Sequence, residues 1–329
     1  MTTYKGTKGN KILTLASDPP TPIAGQVWYN STTYALKGAL TGVGAWASGG
    51  NLNTARDLGA GFGIQTAALY TGGETPITGK TETYDGSAWT EVADLNTVRY
   101  GPQGFGSTSA GTITGGFVSP ATGRTITESY NGTCWSEVAD LTTGRFNFGS
   151  SIGGTASAGI VFSGLVSGGS DTVNTEEWNG TAWTEKANLN TSRAGDTGNG
   201  TSTAALAIAG ATSNATSNVA IVEEYNGSAW TEVADLNTVR RQGGTAGTST
   251  LGLAFGGNPV SPGVLTETYN GTTWTEVADL ATARFGGGGG GSQTAAIFAG
   301  GGHSTGPGLA AETEEWTLPD TVTKTFDVA

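Results

Sequence analysis

The chain holds one histidine, His303, and one cysteine, Cys134, and that scarcity bounds its chemistry first. A transition-metal centre draws on several imidazoles or thiolates, and neither residue has a second of its kind. A cysteine zinc site and a disulfide framework fail on the same count. A Ser–His–Asp triad needs only one histidine, but no G-x-S-x-G elbow accompanies His303. The run Gly286–Gly291 has no Lys-Ser/Thr pair behind it and lacks the context of a phosphate-binding loop. These residues point to no enzyme activity, no metal and no cofactor. His303 follows Gly300-Gly301-Gly302 and is expected in an exposed loop. Cys134 stands where sister positions have Ala or Thr and reads as a small buried filler.

The charge balance narrows the partners. Fifteen Lys and Arg stand against 27 Asp and Glu, a formal charge of −12, which speaks against binding to a phosphate backbone. The first residues, MTTYKGTKGNKILTL, lack the apolar run of an export leader, and no apolar run is long enough to span a bilayer. A soluble protein without an ordinary leader is the expectation.

The elements that must position any site come from a repeat. SAWTEVADLNTVR occurs at Ser87–Arg99 and again at Ser228–Arg240. Trp46, Trp89, Trp135, Trp183, Trp230 and Trp274 recur every 43 to 48 residues, each followed ten residues later by an arginine, from Arg56 to Arg284. A period of this size marks stacked copies of one supersecondary unit. Each unit carries a glycine-rich stretch, a short apolar strand, a variable loop, an acid-x-aromatic strand such as Glu82/Tyr84, an Asx-Gly turn and a Trp strand. The Asx-Gly pairs supply positive φ for hairpins, and five residues separate the third-strand aromatic from the Trp, so the two rings can meet across the turn. The apolar strands, from Ala67–Thr71 to Ala295–Ala299, read as innermost, with their terminal glycines crowding near an axis. Four-stranded antiparallel sheets repeated about an axis make a β-propeller.

The ends complement one another. Ala45–Leu52 has no acid-x-aromatic strand before it, and Glu315-Trp316 has Thr321 where the next Trp would stand. The first Trp strand is therefore expected to finish the last blade. The expected fold is all-β: a six-bladed β-propeller over 41–329, closed by an N-terminal strand, and a small β arm over 1–40. In the arm, Lys11–Leu15 reads as a strand, and Gln26–Asn30 with Tyr34–Lys37 as a hairpin. Residues Val322–Val328 alternate, and either add an outer strand or pack on the arm.

Two resemblances join this reading. Gly-Gly after an apolar strand, then an aromatic, then Trp, at a period near 45, resembles the kelch family of propellers over residues 44–316. The resemblance implies four-stranded blades closing into a ring. Ser163-Gly164 and Ala209-Gly210 depart from its double glycine. Copper-radical oxidases share that propeller, but one His and one Cys leave their ligand set without a counterpart. The string DPPTPIAGQVWYNSTTYALKG is similar to a short module near the front of tail-fibre and other appendage proteins of marine bacteriophages, over roughly residues 11–40. It implies a virion location, with the arm, through Trp28, Tyr29 and Tyr34, docked on other virion proteins.

The repeated arginines and third-strand glutamates read as structural pairs, because a single ligand needs no six copies. The loops after the double glycine differ in every unit while the Asx-Gly turns barely do, and divergent loops on a rigid scaffold are where recognition sits. Phe117, Arg124, Asp171, Asn214, Asn258 and His303 are the candidate binding residues there. The expected function is an exposed bacteriophage virion protein, a tail fibre or appendage binding a host-surface glycan or protein or neighbouring virion proteins, present in many copies or as a homo-oligomer. The alternatives are a purely structural decoration or adaptor and, behind these, a carbohydrate-active enzyme.

Overall fold

The computed structural model describes residues 12–20, 25–40, 42–74, 76–118, 122–258, 263–303, 308–319 and 322–326. These residues form strands, turns and loops, with no helix among them. The chain divides into two compact units, Met1–Gly44 with Leu318–Ala329, and Ala45–Thr317.

The first unit is a four-stranded sheet in the order Leu13–Leu15, Val27–Asn30, Ala35–Leu40, Val322–Phe326. Its first pair is parallel and the rest antiparallel. The C-terminal strand thus belongs with the arm and not with the repeat, and the boundary falls after Gly44 rather than after residue 40. Alternation along Val27–Asn30 sends Trp28 and Asn30 to one face, and Trp28 has no exposed surface. The Asp18 carboxylate gathers that face: it accepts from Trp28 Nε1 at 3.1 Å, Asn30 Nδ2 at 2.7 Å and Lys37 Nζ at 2.6 Å. The Lys37 contact, then Asn30 and Trp28, hold its pKa down at about 2. Trp28, expected at a docking surface, is instead a core residue, since an indole on the inward face of a small sheet is its largest apolar group.

The second unit contains six four-stranded antiparallel sheets among the described residues. In order from inner to outer strand, the first is Ala60–Ile64, Ala67–Thr71, Thr81–Tyr84, Trp89–Glu91. The second to fifth repeat this pattern, beginning at Gln103, Gly149, Thr197 and Gly244. The sixth takes Gly288–Gly291, Ala295–Ala299 and Thr313–Thr317 and is completed by Ala45–Ser48, with Trp316 paired to Trp46. This architecture is β-propeller-like.

Every sheet puts its third-strand aromatic opposite its Trp, with ring centroids from 4.9 Å (Tyr269–Trp274) to 5.6 Å (Trp46–Trp316). The indole then ties its sheet to the preceding one: Trp89 Nε1 donates to Thr313 Oγ1, Trp183 to Thr127 Oγ1 and Trp230 to Thr175 Oγ1, at 2.9 to 3.1 Å. Core residues therefore lie between sheets, as where Phe62 and Leu69 of the first meet Ile113 and Trp135 of the second.

The strand order corrects one expectation. The apolar strands are second, not innermost, and the glycine-rich stretches are themselves the inner strands. Glycine is required there by close approach: a Cβ on Gly61 would stand 2.6 Å from the Gly288 Cα of the sixth sheet. The double glycines serve another need. The first of each pair takes a left-handed backbone (φ 70° at Gly72), and Ser163 and Ala209 adopt the same conformation at 65° and 60°.

The Asx-Gly turns close four-residue loops in which positive φ falls on the glycine alone, as at Gly132. The preceding side chain does the rest: Asn131 Oδ1 accepts the Thr133 and Cys134 amides, both at 2.9 Å, and Asp85, Asn179, Asn226 and Asn270 repeat it. Cys134 sits in such a turn and is exposed, contrary to the expected buried filler, because the residue before the Trp belongs to the turn and not to the sheet's core.

Candidate functional site

The regular charges are structural. Each arginine reaches the third-strand glutamate of the sheet it leads into: Arg56–Glu82 at 2.5 Å, Arg145–Glu176 at 2.8 Å, Arg193–Glu223 at 2.7 Å, Arg240–Glu267 at 2.5 Å and Arg284–Glu314 at 3.0 Å, with Arg99–Glu128 alike. Both partners are buried in every pair. The guanidinium also satisfies backbone carbonyls, as Arg145 does for Ser163 at 3.0 Å and Asn174 at 2.6 Å. The glutamate in turn accepts amides of the connector, such as Asn190 N at 2.7 Å. Burial lowers the pKa of Arg99, Arg145, Arg240 and Arg284 against the pull of their glutamates.

Beyond each arginine the connector turns into the next inner strand, and there the six copies meet. Leu58, Gly101, Asn147, Gly195, Gln242 and Gly286 all have positive φ, between 50° and 66°. The Gly101 amide donates to the Leu58 carbonyl at 2.7 Å, Asn147 to Gly101 at 3.0 Å, Gly195 to Asn147 at 2.6 Å, Gln242 to Gly195 at 2.6 Å, Gly286 to Gln242 at 2.7 Å, and Leu58 to Gly286 at 2.6 Å. The left-handed backbone aims each N–H sideways at its neighbour rather than along a strand. At this cycle lies a cavity of about 40 Å³, lined by Leu58, Pro102, Asn147, Asp196 and Gln242 among others. A second, of about 30 Å³, lies between the inner strands, against Gln103, Ile152, Thr197 and Thr245.

Asp196 is fully buried. Its Oδ1 accepts from the Ser163 hydroxyl, while Oδ2 lies 4.0 Å from Arg193 Nε and has no hydrogen-bond partner among the described residues. Desolvation pushes its pKa up to about 7, against the opposing effects of Arg193 and Ser163. The Ser163 Oγ also accepts the Gly149 amide at 3.3 Å, so the serine that replaces a glycine here bridges two segments.

The residue after each arginine pairs with the residue after the double glycine, which brings connectors and variable loops to one edge of the sheets. The pairs are Asp57/Glu74, Tyr100/Phe117, Phe146/Leu165, Ala194/Ala211, Arg241/Asn258 and Phe285/Gly302. No two are alike.

The candidate residues fall on this edge. Phe117 is half-buried between Tyr100 and Phe146, at centroid distances of 4.9 and 5.1 Å. Asp171 Oδ2 accepts the Asn214 amide at 2.7 Å, so these two come together across neighbouring sheets. Asn214 is exposed, in the middle of three successive left-handed residues, Ser213 to Ala215. The Asn258 carbonyl accepts Asn218 Nδ2 at 2.7 Å beside its pairing with Arg241. Arg124 pairs through its backbone with Arg145, and its Nε has no hydrogen-bond partner among the described residues. His303 pairs with Arg284 and lies 3.9 Å from Glu312; the pairing leaves it half-buried rather than exposed. In the arm, Tyr34 is 79% exposed and Tyr29 half-buried, on the opposite strand face from Trp28. Sequence reasoning missed Asp57, Glu74, Tyr100, Phe146 and Arg241. The available signal was that the residue after each arginine varies within an otherwise repeated stretch.

No protein-family model matches the chain, and no curated protein matches it. The solved structure of YjhT is similar in fold, with a TM-score of 0.69 at 12% identity, covering 84% of this chain and 99% of that one. At that identity the likeness shows an all-β, propeller-like fold and nothing of activity.

Proposed function

We propose that the second unit is a closed six-bladed kelch-like propeller that works by binding rather than catalysis. Six similar sheets, the Trp316–Trp46 pairing and the cycle of six amide-to-carbonyl bonds support the ring. One observation carries the binding reading. At the turn edge five sheets use the same Asx side chain in the same way, whereas at the connector edge six different residue pairs surround a mouth of fixed backbone. A fold that needs only closure has no use for that second diversity.

The surface so made, of half-buried aromatics and short polar side chains, suits a glycan. Weak single sites would be strengthened by display in many copies. The arm's likeness to phage appendage modules supports attachment to a bacteriophage particle, with Tyr34 the best-exposed aromatic among the described residues for that contact. Replacing Phe117–Arg124 and His303–Ala310 by Gly-Ser loops is expected to keep fold and particle assembly but abolish adsorption to host cells. Unchanged adsorption would leave a structural decoration or adaptor as the better reading.

A further inference from the structure

The first sheet departs from the repeat at its mouth. Asp57 and Glu74 face each other across their bridge, where the other sheets place Tyr with Phe, Phe with Leu, Ala with Ala, Arg with Asn and Phe with Gly. Directly paired residues hold their Cβ atoms about 5 Å apart, so two carboxylates share one small volume. Asp57 is only 7% exposed, and its Oδ1 has no hydrogen-bond partner among the described residues. Neither acid has an ion-pair partner among them. Elsewhere each third-strand glutamate has its arginine, and Asp196, the other buried acid with an oxygen unpartnered among the described residues, still has the Ser163 hydroxyl and lies 4.0 Å from Arg193. Desolvation and then the charge of Glu74 push Asp57 up to about 6, and burial pushes Glu74 up as well. Asp57 is buried and Glu74 half-buried, and a partly buried, uncompensated like-charge pair is costly to a fold and becomes favourable when a cation completes it.

A separate observation says which cation. The Gly73 amide donates to the Arg99 carbonyl at 2.9 Å, which sets Glu74 beside Tyr100, and burial and then the Glu74 charge raise the phenol's pKa. It begins the half-buried tier Tyr100–Phe117–Phe146, with centroid steps of 4.9 and 5.1 Å. Among the described residues no third His, Cys, Asp or Glu joins the pair, whereas a calcium ion takes six to eight oxygens. Carboxylates beside an aromatic wall suit an organic ammonium. The tier runs over two sheets, longer than one ammonium head, and matches the apolar faces of successive sugar rings.

We propose that this corner of the mouth binds an amino sugar with a free ammonium group, held by Asp57 and Glu74 while the Tyr100–Phe117 tier carries the ring. This rests on reading the connector edge as a glycan-binding face.

The test is calorimetric titration of the full chain with a glucosamine tetramer, its N-acetylated counterpart and tetralysine, at physiological salt. The glucosamine tetramer should bind at least about tenfold more tightly than the other two, a difference of about 1.4 kcal/mol. Asp57→Asn and Glu74→Gln should each weaken it by about tenfold or more. Neither should lower the melting temperature, because each removes one member of an unmatched like-charge pair, buried at Asp57 and half-buried at Glu74. Each also changes the net charge by only one, too little for non-specific attraction to account for the loss. Equal binding of the N-acetylated tetramer, equal binding of tetralysine, unchanged affinity in both variants, or a drop in melting temperature in both would each overturn the proposal. If the glucosamine tetramer fails to bind while the loop replacements still abolish adsorption, the amino-sugar site falls and the binding face stands.

Discussion

Replacing Asp196 by Asn should stabilise the protein, and only above about pH 4. The carboxyl's pKa is raised from 3.8 to about 7 in the folded state, chiefly by desolvation, with the Arg193 guanidinium 4.0 Å away already committed to Glu223. In the window between those values the folded chain holds a proton that the unfolded chain has released. Stability is therefore full below about pH 4 and falls as pH rises to about 7. Each tenfold difference in proton affinity between the two states contributes about 1.4 kcal/mol, so the loss reaches about 4 kcal/mol in all. Between about pH 5 and about pH 8 the loss from this one group is about 3 kcal/mol. Asn is isosteric with the protonated acid and keeps an oxygen for the Ser163 hydroxyl, but it cannot ionise. Urea unfolding of both proteins at several pH values isolates the effect, because every other titrating group is common to them. The difference should be about 1–2 kcal/mol near pH 5, grow in favour of the variant and level off near pH 8. A difference that does not vary with pH, or a variant weaker at pH 8 than at pH 5 relative to wild type, would refute the desolvation account.

Ala209 has φ 60° where most sister sheets have glycine, but its methyl is buried in the core. In Ala209→Gly the relief of about 1–2 kcal/mol of strain is therefore offset by glycine's unfolded-state entropy and the lost methyl, each about 0.5–1 kcal/mol, and the urea midpoint should stay nearly unchanged. Trp230→Ala should cost about 3–5 kcal/mol, because it empties a buried site and frees the Thr175 hydroxyl. Trp28→Ala, measured alongside, should leave the melting of the second unit unchanged, whereas Tyr34→Ala should reduce incorporation into particles with the arm intact. Deleting residues 1–52 removes Ala45–Ser48 and with it the outer strand of the sixth sheet, so that protein should unfold, while deletion of 1–38 should leave the second unit folded. Equal thermal stability of the two truncations would count against closure by the N-terminal strand.

The repeat is legible in the sequence because its markers are forced by packing. A Trp that must meet an aromatic across a hairpin and reach the preceding sheet cannot drift, and an arginine ten residues on must find its glutamate. The strand order is not legible in the same way, because hydrophobicity marks the most buried strand, and in stacked sheets that is the second. The inner strand lies where neighbouring backbones converge, and Gly61 against Gly288 shows why glycines interrupt it and leave only scattered apolar side chains, such as Phe62 and Phe105, to read. Trp28 escapes sequence reasoning for a related reason: alternation fixes that Trp28 and Tyr29 oppose each other but not which face is covered.

The acid pair is hidden by sequence distance and emerges only when the sheets are laid over one another. Asp57 looks like one more variant of a position that also holds Tyr, Phe, Ala and Arg, and Glu74 like one more polar residue in a variable loop. Only the bridge between connector and loop makes them neighbours, and only the five other bridges show that the fold does not require acids there. A repeat protein thus carries its own control. What recurs in every sheet, such as the Arg–Glu pair, answers to folding, and a costly feature present in one sheet needs another cause. By that standard the left-handed Ala209 and the buried Asp196 are costs without an evident ligand, confined to the fourth sheet and its entry. The Asp57–Glu74 pair differs from them because it lies at the rim, beside an aromatic tier, where a partner could relieve its charge.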